Sequence, residues 1–295
     1  MRARSPIGQW LQEAVRRVRA FAYPPPPEVA RGRPRIGLAL GGGFARGIAH
    51  IGVLRVLEQE RIPIDCIAGT SAGSLVAGAY ASGVSLAEIE RVARSIRWSD
   101  FARWTISRMG AASNARMERF IRRSFRTTRF EDLKIPLAVV TTDLTSAEAL
   151  VFTRGDLTTA LRASCAVPGM FLPVESDGHL LVDGALVWKV PSEPVRRLGA
   201  ELVIAVFLDS LRAGNLKARS VFDLLSRSFA IAEKYGEPVW RSYADVVIEP
   251  DVADLSWDSF DHASRMITAG EEAARRALPR IRELLERGMA ERRPA

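Results

Sequence analysis

The stretch Ile64-Asp65-Cys66-Ile67-Ala68-Gly69-Thr70-Ser71-Ala72-Gly73-Ser74 constrains this chain more than any other. Ile64 to Ala68 reads as a short buried strand, Gly69 to Gly73 as a tight turn, and Ser74 to Ala81 as a helix. A serine at the apex of such a turn, with a glycine two positions away on each side, is a nucleophile elbow. The turn lifts the hydroxyl clear of the backbone, and the small neighbours let strand and helix close up. The amides at the helix N-terminus then favour negative charge beside the serine. Ser71 is therefore the candidate nucleophile, set against the plainer alternative of an ordinary turn built from common turn residues.

A second glycine turn precedes it. Ile36 to Leu40 reads as a strand, followed by Gly41-Gly42-Gly43-Phe44-Ala45-Arg46-Gly47 and a helix carrying Ile48, Ile51, Leu54, Val56 and Leu57 on its apolar side. Turns of this kind bring backbone amides close to an anion. A dinucleotide fingerprint would need glycine where Arg46 stands, and an acidic residue closing the second strand; that strand runs into Gly69-Thr70-Ser71 instead. In a parallel sheet both turns open on the same edge, so the amides around Gly42 and Gly43 are placed to form an oxyanion hole for Ser71. Arg46 either braces the loop, draws in an anionic substrate, or is a plain surface arginine. Further on, the apolar run His179 to Val182 delivers Asp183 into Gly184-Ala185. Asp-Gly is a common turn pair, but a strand end is also where α/β proteins place catalytic groups.

The rest of the chain reads as an α/β protein. Strands are expected at Ile135–Asp143, Ala149–Thr153, Glu201–Leu208 and Asp245–Ile248. Helices are expected at Ser85–Ile96 (with a Ser85/Glu88 capping box), Leu157–Cys165, Val221–Tyr235 and Ala263–Leu285. A main domain over 35–290 is preceded by a separate segment, 1–34, in which an amphipathic basic helix leads into the Pro24–Pro27 spacer. Cys66 and Cys165 lie in apolar contexts and read as core residues in a reducing compartment. No run reaches the ~18 apolar residues of a membrane span, and no apolar block follows the first arginines, so a cytoplasmic protein is expected. The net charge of +8 is concentrated: residues 1–35 carry +6 and residues 91–129 carry +9. Both zones suit peripheral contact with an anionic membrane, here the inner face of the cell membrane, or else are solvated faces. In the second, Trp98, Phe101, Trp104, Ile106 and Met109 alternate with arginines without a clean period, which suggests a mobile cap rather than core. His50, His179 and His262 are scattered, so neither a metal site nor another cofactor is expected, and no nucleic-acid-reading motif is present.

Taken together, these features resemble the patatin-like phospholipase family, in particular its bacterial cytosolic branch. The likeness rests on the loop Gly41–Gly47 with Arg46, the elbow Gly69–Gly73, Arg162-Ala163-Ser164 with Pro168-Gly169 and Pro173, and Asp183-Gly184-Ala185. It covers residues 35 to 285. It implies a three-layer α/β/α fold with a central, mostly parallel sheet and a metal-free Ser–Asp dyad. Ser71 would be the nucleophile, Asp183 its base, and the amides of Gly42, Gly43 and Phe44 the oxyanion hole, with Gly41, Arg46, Gly47, Gly69, Gly73 and Gly184 in support. The implied substrate is a lipid acyl ester. Two departures stand out: Phe44 replaces a fourth loop glycine, and Lys189 lies near where relatives carry an asparagine. Two rival readings are an α/β-hydrolase triad completed by His262 and a catalytically idle membrane-binding module.

Overall fold

The computed structural model describes residues 32–105, 107–209 and 221–290. The amphipathic helix and spacer expected before residue 32 lie outside them. Eight strands form one sheet: β1 (Ile36–Leu40), β2 (Cys66–Thr70), β3 (Leu137–Asp143), β4 (Glu148–Phe152), β5 (Val174–Ser176), β6 (His179–Asp183), β7 (Leu202–Val206) and β8 (Val246–Ile248). The spatial order is β8-β7-β1-β2-β3-β6-β5, with β4 also paired to β3. The five strands from β8 to β3 are parallel; β4, β5 and β6 join antiparallel. Helices cover both faces, giving the expected three-layer α/β/α arrangement.

Alternation along the strands sets the two layers apart. Ile36, Leu38, Leu40, Ile67, Ile204 and Val206 point to one face, where they pack in a large core with α1 (Ala49–Gln59), α2 (Ala72–Ala81), α3 (Leu86–Ser95) and α8 (Ala263–Ala290). Ala39, Ala68 and Ala205 point to the other, with Val195 of α6 (Ser192–Arg197) and Trp240 of α7 (Val221–Arg241). The second layer is built from small residues because α6 lies close. A Cβ on Gly37 would sit 2.5 Å from the Ala200 Cβ. Arg33 is paired with Asp65, whose carboxylate also accepts the Ile36 N–H at 2.7 Å, so the arginine pins the start of β1.

The elbow strand sits two residues further along than expected, at Cys66–Thr70, and its helix starts two residues earlier, at Ala72. The Ser85/Glu88 capping box forms as expected. The helices not foreseen include α6 and α4 (Ala115–Ser124). The second corrects the reading of 91–129. Met117 and Ile121 of α4 are buried in the main core, and Trp98 stacks on Phe171 with centroids 5.2 Å apart. Arginines dominate the composition of α4, so its two-residue apolar stripe is easily overlooked. Several arginines of this zone also pair with acids, Arg94 with Glu90 and Arg126 with Glu88 among them.

The tightest helix crossing is between α1 and α8. A Cβ on Gly270 would lie 2.0 Å from the Ala49 carbonyl oxygen, and backbone offers no easy relief. Gly270→Ala should therefore destabilise the fold by about 1–3 kcal/mol, read as a lowered thermal midpoint. An unchanged midpoint would mean the crossing is looser than described.

Candidate active site

Ser71 stands between β2 and α2 with φ 52° and ψ −127°. Such a conformation costs a non-glycine residue about 1–3 kcal/mol and persists only where the surroundings impose it. They do so here. The Ser71 N–H donates to Ser164 Oγ at 2.8 Å, and Ser164 in turn donates to the Val140 carbonyl at 2.7 Å. The Ser71 carbonyl accepts from Ser74 Oγ at 2.6 Å. The two elbow glycines are steric necessities: a Cβ on Gly69 would lie 2.4 Å from Ser74 Cα, and one on Gly73 would lie 2.2 Å from the Leu40 carbonyl oxygen. Ser164 drew notice in the sequence only as part of a motif, and its grip on the nucleophile's amide had no local signal.

Asp183 reaches Ser71 through strand register. β2 occupies one edge of β3 as far as Val140, opposite Thr70; β6 takes over the same edge from Thr141, opposite Asp183, running the other way. The C-terminal ends of β2 and β6 therefore meet, and Ser71 and Asp183 line one cavity. The carboxylate also accepts the Ala185 N–H at 2.9 Å. Gly184 is required by the same closeness, since its Cβ would fall 2.3 Å from the Val140 carbonyl oxygen. Burial pushes the Asp183 pKa up to about 7; the nearby Ser71 hydroxyl, the Ala185 hydrogen bond and the Lys189 charge pull against it, while Glu233 adds to the rise. A carboxyl group so placed changes protonation near neutral pH, the range a general base needs.

The glycine loop lies against the elbow: a Cβ on Gly42 would approach Ser71 Cβ to 3.2 Å, and one on Gly47 the Ala72 Cβ to 2.6 Å. One expected oxyanion donor is corrected. The Gly42 N–H is already donated to the Lys189 carbonyl at 3.0 Å, so it anchors the loop instead of facing the site. The Gly43 and Phe44 amides donate to no partner among the described residues. Phe44 has φ 52°, which explains why a glycine suits this position; its ring packs edge-on against Trp257 at 5.7 Å. Arg46 is a brace, not a surface residue: it is buried and donates to the carbonyls of Gly43 and Leu255, each at 3.3 Å. His50 holds Gly41, with Nε2 2.8 Å from its carbonyl oxygen. Burial lowers the His50 pKa to about 4, so the ring is neutral and Nε2–H is the donor. Gly41 itself is confined by the Val206 carbonyl oxygen, 2.9 Å from where its Cβ would be.

Two cavities meet at Ser71, Phe44 and Val167. The larger, about 490 Å³, runs between α2, α3 and α4 and is walled by Ile51, Leu75, Val76, Ile89, Phe120 and Phe171. The smaller, about 80 Å³, is lined by Gly43, Asp183, Lys189 and Arg46, and by Phe229 and Glu233 of α7. Lys189 is buried and bonded to Glu233 at 2.8 Å. His262 is exposed beside Asp261 and lines neither cavity, and His179 bonds Asp143 at 3.0 Å. The triad alternative thus has no histidine at the serine. Cys66 and Cys165 are free and buried, as expected of core residues. Among the described residues no group of three or more His, Cys, Asp or Glu is placed to hold a metal ion, and no helix is long and apolar enough to cross a membrane.

A serine elbow, a buried aspartate and a glycine loop at the edge of a three-layer α/β/α sheet define a class, and the comparisons name it. The family model described as patatin-like phospholipase matches residues 38–196. The chain belongs to that family, whose members are carboxylic-ester hydrolases. It is 40% identical over 184 residues to an uncharacterized NTE family protein of Mycobacterium tuberculosis, covering 61% of this chain and 51% of that one. It is 31% identical over 226 residues to lysophospholipase NTE1 of Mycosarcoma maydis, covering 75% of this chain and 12% of that one. The match thus spans about half the length of the mycobacterial relative and a small part of the fungal one. Among solved structures, VipD from Legionella pneumophila shares the fold with a TM-score of 0.57 at 12% identity, over 85% of this chain and 67% of that chain.

Because ionised Asp183 is the form that accepts a proton, labelling of Ser71 by a fluorophosphonate should accelerate as pH rises and level off above about 7. Glu233→Gln removes a negative charge that raises the Asp183 pKa and frees the Lys189 cation. Both changes act in the same direction, so the midpoint should move to lower pH. A midpoint that stays put would separate Glu233 from the electrostatics of the site.

Proposed function

We propose that this chain is a serine acyl-ester hydrolase acting on phospholipids or lysophospholipids through a Ser71–Asp183 dyad. The observation that carries the reading is strained Ser71 and buried Asp183 brought together at one cavity, with Ser71 also lining an apolar cavity of about 490 Å³. That volume and lining suit an acyl chain. Asp183 takes the Ser71 proton as the oxygen attacks the ester carbonyl. The Gly43 and Phe44 amides stabilise the oxyanion that forms. The intermediate then collapses, the leaving alkoxide receives the proton from Asp183, and the acyl group stays on Ser71. Water, deprotonated by Asp183, releases the fatty acid and restores the serine. The leaving group departs through the smaller cavity, beside Lys189 and Arg46.

The family and the name of the fungal relative, a lysophospholipase, support a lipid substrate. We also assign the protein a peripheral, cytoplasmic-side contact with anionic membrane through residues 1–35 and 91–129. Since Arg33 belongs to the folded domain, the deletion that tests the first zone should remove residues 1–31 only.

Fluorophosphonate labelling should fall on Ser71 and vanish in Ser71→Ala. Turnover of a p-nitrophenyl ester and of lysophosphatidylcholine should fall by about 10⁴-fold in Ser71→Ala and in Asp183→Asn, on the scale of serine hydrolase dissections. Silence of the native protein on every ester, with or without vesicles, would favour the idle membrane-binding module. Phe44→Gly should open the junction between the cavities and raise the preference for decanoyl over butyryl esters several-fold. An unchanged ratio would mean the ring does not gauge the acyl chain.

A further inference from the structure

α7 has two faces of opposite use. One turns Leu225, Phe229, Ala230 and Glu233 toward the smaller cavity at Ser71. The other carries Val221, Leu224, Ile231, Tyr235 and Val239, spaced by three, seven, four and four residues, and therefore aligned in one stripe. All five are exposed, between 47 and 82%. Leu186 and Val187, also exposed, extend the patch from the turn that follows Asp183, against which α7 packs. Arg227 and Lys234 border the stripe on one side and pair with no acid among the described residues. An ordinary helix on the surface of a globular protein would present polar residues where this stripe lies.

We propose that this stripe of α7, with Leu186 and Val187, docks the protein onto a lipid surface, setting the smaller cavity of Ser71 at the interface. The inference rests on the lipid-hydrolase reading above and names the surface by which that site meets its substrate. Three observations favour lipid as the occupant. The patch is continuous with the wall of the catalytic cavity, so docking there places headgroups next to Ser71. The bordering charges are cations, as in helices that lie in an anionic interface. The smaller cavity, at about 80 Å³, has little room for a headgroup, and α7 is the wall whose shift would widen it. The ion pair of Lys189 with Glu233 joins that wall to the loop holding Gly42, so movement of α7 reaches the oxyanion loop.

The test compares the full chain with Leu224→Gln/Ile231→Gln/Tyr235→Gln. These residues lie outside both cavities, and glutamine preserves helix propensity. Binding is read by co-sedimentation with phosphatidylcholine vesicles containing a minor fraction of phosphatidylglycerol, and catalysis by p-nitrophenyl butyrate and by phospholipid in the same vesicles. The triple variant should lose at least tenfold in vesicle affinity and in turnover of vesicular lipid, while hydrolysing p-nitrophenyl butyrate within twofold of the parent. Arg227→Gln/Lys234→Gln should weaken binding only to the anionic vesicles. Unchanged vesicle binding by the triple variant overturns the proposal. So does loss of a dimer in sizing experiments with vesicle binding intact, or binding abolished by removing residues 1–31 and insensitive to the triple variant. Failure of the parent on p-nitrophenyl butyrate would instead refute the hydrolase reading, which the vesicle-binding arm does not use.

Discussion

One edge of β3 is shared by two strands that run in opposite directions, and the candidate site depends on it. β2 pairs with it up to Val140 and β6 pairs with it from Thr141, so Thr70 and Asp183 face adjacent residues of one strand. Over a hundred residues of intervening chain are thereby reduced to a single step of register. Strand pairing is rigid because every backbone group in it is satisfied, and the distance between Ser71 and Asp183 inherits that rigidity. Gly184 and Ser164 both meet the same point on β3, the Val140 carbonyl, one by having no side chain and the other by donating to it.

Around this junction the protein keeps strain and charge where a hydrolase needs them. Ser71 and Phe44 are both held at positive φ, each by close packing rather than by its own preference. The Asp183 carboxyl is buried, yet it sits between a hydroxyl, an amide and the paired charges of Lys189 and Glu233, which together hold it near neutrality. Neutral His50 and cationic Arg46 take up the carbonyls of Gly41 and Gly43, so the loop's oxygens point inward and its unpaired amides are left for the site. The Gly42 amide belongs to this bracing, while those of Gly43 and Phe44 donate to no partner among the described residues.

The two cavities are unlike, and the difference follows from what walls them. Helices packed on the large-residue face of the sheet enclose an apolar space long enough for a chain, whereas α7 covers a small space lined with charge. Phe44 stands between them, anchored on Trp257.

Local chemistry made much of this legible. The elbow, the glycine loop and the strand ending in Asp183 each carry their reason within a few residues: glycines where no Cβ fits, apolar runs where both faces are covered, a capping box at Ser85. These made the α/β class and the order of the main elements readable, and singled out Ser71 and Asp183 as candidates. Contacts between distant segments left no such mark. That Gly42 donates to the Lys189 carbonyl, that Ser164 holds the nucleophile's amide and that Glu233 pairs with Lys189 are facts of register and helix placement, fixed only when the layers close. The arginine-rich α4 shows the reason in small: two buried residues suffice to dock a helix once neighbours supply a groove, and no period in the sequence reports the groove. The chain by itself determined which groups can do chemistry, because that depends on side-chain type and local backbone. The tertiary structure alone decided which of them meet, what surrounds them, and how far burial moves their charge.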